Sequence, residues 1–99
     1  MAAPSPLIGE CYGGLHPATP QAGYERIAWH ECVPRAERVR VRSHTCNCRP
    51  IVYELCHAGG LLFVRRIYRS DAVIEHQSTW LRTSEGEELW SRILLGHAR

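Results

Sequence analysis

Residues 51–68 read IVYELCHAGGLLFVRRIY, and this stretch decides the fold. Two runs rich in β-branched and aromatic residues flank the pair Gly59-Gly60. Glycine tolerates the positive φ that a two-residue hairpin turn requires, so the stretch reads as two antiparallel strands joined tightly. With the glycines as the loop, Ala58 pairs with Leu61, Cys56 faces Phe63, Glu54 faces Arg65 and Tyr53 faces Arg66. The Glu54–Arg65 pair is worth about 0.2–1 kcal/mol, and a cation from Arg66 on the Tyr53 ring adds a similar gain. One face then carries Ile51, Tyr53, Leu55, Leu62, Val64 and Tyr68, the other Val52, Cys56, Phe63 and Ile67. Both are apolar, so each is expected to have something packed over it.

Upstream, Arg38 to Arg42 alternates strictly between arginine and valine. That period places Val39 and Val41 on one face of a strand near 38–43 and three guanidiniums on the other. Before it, Tyr24 to Val33 reads as a short strand or helix turn stopped by Pro34. Residues 1–25 are punctuated by proline and glycine without either period, and they read as an irregular arm.

Downstream, Ala72 to Gln77 offers a further strand, and residues 85–95 a helix. Ser84 with Glu87 three positions on has the form of a capping box, Glu85, Glu87 and Glu88 suit the positive end of the helix dipole, and Gly96 is a natural stop. Leu89, Trp90, Ile93 and Leu94 recur at helical spacing. Together with Trp80 and Leu81, Leu89 and Trp90 read as core of that helix or as a surface for a partner. The Leu94-Leu95 pair, pointing two ways, fits a homodimer. The fold class is therefore α+β: a small antiparallel sheet of three or four strands with a C-terminal helix packed on it. The irregular N-terminal arm covers 1–25, and one small domain covers 26–99.

Composition bounds the rest. A chain of 99 residues holds one domain, and 44% hydrophobic with 22% charged residues excludes a collagen, a fully disordered chain and a membrane protein. Every one of the 12 basic residues is arginine, as expected of a GC-rich, bacterial genome. The charge is uneven: net −2 over residues 1–32, +6 over 33–70 and −2 over 71–99. With no signal-like start and no stretch of about 20 apolar residues, the expected location is the cytoplasm. The five cysteines, an odd number, are then thiols or metal ligands rather than a disulfide framework.

Two clusters carry chemistry. Arg38, Arg40, Arg42, Arg65, Arg66 and Arg69 form an anion or nucleic-acid surface if they converge, with Tyr53, Tyr68 or Trp29 available for stacking. The plainer reading of Arg38, Arg40 and Arg42 is the solvated face of an edge strand, where charge discourages aggregation. Cys32, His44, Cys46, Cys48 and Cys56 are the candidate metal ligands. If the middle segment is extended, His44, Cys46 and Cys48 share a face on which zinc gathers thiolates and imidazole. No Cys-x-x-Cys occurs, and the plainer reading makes Cys32 and Cys56 small buried hydrophobes.

A thiol enzyme would need an activated cysteine, but Cys56 and His57 point to opposite faces of a regular strand. No motif is specific enough to name a family. The favoured reading is a small non-enzymatic intracellular accessory or regulatory protein that binds nucleic acid or an acidic protein surface and needs no cofactor. A zinc-stabilised interaction module is the alternative and a thiol-dependent enzyme the second.

Overall fold

A computed structural model describes residues 14–32 and 38–99. In chain order the elements are β1 (His30–Glu31), β2 (Arg40–His44), β3 (Ile51–Ala58), β4 (Leu61–Arg69), β5 (Val73–Gln77) and α1 (Thr83–Leu94). The strands form one antiparallel sheet in the order β1-β5-β4-β3-β2. The architecture is thus α+β, with five strands rather than three or four. The extra strand is the two-residue β1, too short to leave a period in sequence.

The hairpin has the expected register throughout, from Ala58–Leu61 through Cys56–Phe63, Glu54–Arg65 and Tyr53–Arg66 to Ile51–Tyr68. Gly59 and Gly60 have φ of 57° and 76°, the left-handed pair that makes this turn match the strand twist. Glu54 and Arg65 form an ion pair at 3.2 Å with both side chains largely covered. Arg66 takes a different aromatic partner from the one expected: its guanidinium lies 4.5 Å from the centre of the Trp29 ring, which in turn tilts against Tyr53.

The first face of the hairpin is covered by α1. Tyr53, Leu55, Leu62 and Val64 pack with Leu89, Trp90, Ile93 and Ala98 into the larger core. The helix comes close because Gly86 has no side chain; a Cβ there would stand 2.5 Å from the Cβ of Leu62. The helix starts at Thr83 with Arg82 at its N-cap and no side-chain cap. Ser84 is therefore already inside the first turn, and the expected Ser84–Glu87 capping box is absent. Its C-terminus is a Schellman motif: the amide of Gly96 donates to the Ile93 carbonyl (3.1 Å) and that of His97 to Arg92 (2.7 Å), with Gly96 at φ 79°.

The second face is capped by Trp80, stacked on Phe63 at 4.5 Å and 5° beside Cys56 and Ala58. Trp80 and Leu81 thus precede the helix instead of belonging to it, and Leu81 pairs with Leu62 through two backbone hydrogen bonds of 2.7 and 2.8 Å.

Of the arm, residues 14–25 are irregular in conformation, as read, and docked. The amides of Ala18, Gln21 and Glu25 donate to the carbonyls of Leu94, Gly96 and His97, each at 2.8 Å. The arm and the chain after α1 so complete the layer on the helix-bearing face. No helix among the described residues is long and apolar enough to cross a membrane.

Candidate metal centre

The site is built where β2 ends. Thr45, 1% exposed, ties that end to β3: its amide donates to the Tyr53 carbonyl and its Oγ1 accepts from the Tyr53 amide, both at 2.9 Å. This double bond closes the strand pair and sends residues 46–50 out as a loop. Leu15 of the arm then runs parallel to Thr45 and accepts a hydrogen bond from the Cys46 amide at 2.7 Å. Gly14 permits the approach, since a Cβ there would lie 3.3 Å from that of Cys46. The next arm residue, His16, is thereby set over the loop.

The result is a cluster of His16, Cys46 and Cys48 whose ligating atoms all lie within 4.8 Å of one another. His16 Nε2 is 3.1 Å from Cys48 Sγ. Tetrahedral zinc, with Zn–S of about 2.3 Å and Zn–N of about 2.0–2.1 Å, holds adjacent donors about 3.5–3.8 Å apart. The His16–Cys48 distance is a little shorter than this, and no pair exceeds 4.8 Å. Cys46 is buried, and His16 and Cys48 are half-buried. Two soft thiolates with one imidazole are a donor set that zinc favours over hard cations. Three ligands fill three tetrahedral corners; Cys11, five residues before His16, lies outside the described residues.

Of the five ligands read from sequence, Cys46 and Cys48 are in this cluster and three are elsewhere. His44 is not part of it: its Nδ1 lies 2.9 Å from the Thr45 carbonyl oxygen and its backbone opposite Glu54. The assumption of an extended chain through Cys48 fails because β2 stops at His44 and the next residues turn. Cys32 and Cys56 lie on the opposite side of the sheet, near Arg65. Burial pushes the Cys56 thiol up to about 11 and outweighs the opposing Arg65; Glu54 and Cys32 add to the rise. Desolvation raises Cys32 too, against Arg65 and with Glu75. His16 went unread, because between Leu15 and Pro17 it belongs to no period or motif.

The arginines are dispersed. Arg42 sits at an irregularity in the β2–β3 register and reaches across to Glu87 of α1 at 3.6 Å. The strand begins at Arg40, and Val39 and Val41, expected on one face, are both exposed at 38% and 45%, so that face is not buried. Arg65 lies on the Trp80 face against Glu54, Arg66 on the helix-bearing face over Trp29, and Arg69 reaches Asn47 at 3.4 Å. Arg40 stays exposed on the edge strand and Arg38 just before it. The six are spread over both faces and one edge, not gathered on one surface.

The fold and the cluster define an α+β chain with a candidate zinc-binding corner. Comparison with protein families, with curated proteins and with solved structures gives no match.

Proposed function

We propose that this chain is a small non-enzymatic binding module whose N-terminal arm is fastened to the sheet by zinc. The observation that carries the reading is the convergence of His16, Cys46 and Cys48 from segments 32 residues apart. An arm held by a handful of backbone hydrogen bonds loses much conformational entropy on docking, about 1–2 kcal/mol for each residue fixed. A metal bound only by the folded state offsets such a cost. The thiols must be reduced to bind, which suits a reducing compartment.

One further feature supports binding over thiol chemistry. Cys56 is fully buried and its thiol is held protonated, the opposite of an activated nucleophile. Nucleic acid is the less favoured partner, because phosphate contacts along one strand need arginines that share a surface. Metal analysis of protein purified without added chelator tests the reading. One zinc per chain is expected in the wild type and in Cys32→Ser, with loss in Cys46→Ser, Cys48→Ser and His16→Ala. Wild-type protein that neither carries zinc nor takes it up on titration overturns it.

A further inference from the structure

Between the arm and the loop lies a groove of about 330 Å³, within the size range of small-molecule sites. It is lined by Pro17 and Pro20 of the arm, by Arg49 and Pro50 of the loop, and by Tyr53 and Tyr68. Tyr68 is 42% exposed although it stands on the helix-bearing face of the sheet. Its ring is therefore left open in the cleft, beside the buried Tyr53.

The charge at the cleft has one sign. Arg49 and Arg99 both line it, and no acidic side chain does. Arg49 is exposed, so its guanidinium is available to an incoming ligand. A guanidinium presents a planar fork of donors that matches a carboxylate or sulfonate, and it gains most where the neighbourhood is apolar.

We infer that this groove is a binding site for a small aromatic acid, with the ring on Tyr68 and the acid group on Arg49. The ligand is a one- or two-ring body, which the volume admits, carrying a single anionic group. The site goes beyond the metal reading, and since its arm residues Pro17 and Pro20 follow directly on His16, the titration is made with and without added zinc.

Fluorescence titration with two two-ring probes tests it: naphthalene-1-sulfonate, and 1-naphthol, which has the same rings with a neutral hydroxyl in place of the sulfonate. Wild-type protein should bind the sulfonate at one saturable site and the neutral probe more weakly. Arg49→Gln should weaken the sulfonate tenfold or more and leave the neutral probe within twofold, while Tyr68→Ala should weaken both. Arg38→Gln, the same change of charge just before the edge strand, should alter neither. An Arg49→Gln protein that holds the sulfonate as tightly as wild type overturns the proposal, and so does an equal loss in Arg38→Gln, which would mark general attraction to a basic protein. Unchanged near-ultraviolet circular dichroism shows that each variant is folded.

Discussion

The two connections of β3 are made by different physics. At its C-terminal end, Gly59 and Gly60 turn the chain by their own backbone angles, and everything the turn needs lies within a few residues. At its N-terminal end, the loop 46–50 is held from outside: by Thr45 against Tyr53, by Leu15 from the arm, and by Arg69, whose amide donates to the Pro50 carbonyl at 2.9 Å. A turn of the first kind is encoded locally. A loop of the second kind exists only once distant segments have arrived, and that is where the candidate metal ligands meet.

The contrast can be broken from either end. The largest effect is expected beside the glycine turn, at Phe63→Ala. Phe63 is 1% exposed and stacked on Trp80, so its truncation should cost about 3–5 kcal/mol and lower the midpoint of urea unfolding accordingly. A loss below 1 kcal/mol would mean that the Trp80 face contributes little to the core. At the loop end, Thr45→Val keeps the shape but leaves the Tyr53 amide without its acceptor. About 1–3 kcal/mol should be lost, and amide exchange at Tyr53 should quicken more than at Phe63.

Gly60→Ala should cost about 1–2 kcal/mol, because alanine resists φ of 76° even though a Cβ there meets nothing within 4 Å. Equal stability of Gly60→Ala and wild type would show that the turn tolerates another backbone shape.

The smallest effect is a pH dependence centred on Cys56. Its folded-state pKa, about 11, lies above the ordinary 9.0, so the folded chain keeps the proton longer than the unfolded chain. Below pH about 9 both states are protonated and the full stability is present; it then falls as pH climbs toward about 11. Comparing urea midpoints of wild type and Cys56→Ala over that range isolates the contribution, and the variant should show the shallower decline.

Legibility in the sequence followed the same division. The hairpin register was readable because glycine φ preference and the two-residue period of a strand act between near neighbours. The body of α1 was readable from Leu89, Trp90 and Ile93, and its stop from Gly96. Its start was not: the Ser84–Glu87 spacing has the form of a capping box, yet the chain pairs Leu81 with Leu62 and enters the helix at Thr83, two residues too early for Ser84 to cap it. Trp80 was assigned to the helix because an apolar residue beside a helical period looks the same from either side of its boundary. Only docking on Phe63 fixed its place.

By itself, then, the sequence determined the hairpin, its pairing and the helical segment that covers one of its faces, since each rests on interactions spanning a few residues or one turn. Tertiary structure alone decided which imidazole joins Cys46 and Cys48. His44 was the neighbour in sequence, but β2 ends there and its ring nitrogen meets the Thr45 carbonyl instead. His16 arrives because the arm docks along Thr45 and the chain after α1, a choice made by backbone hydrogen bonds between distant segments. Such bonds use groups that every residue carries, and so they leave almost no mark in residue identity.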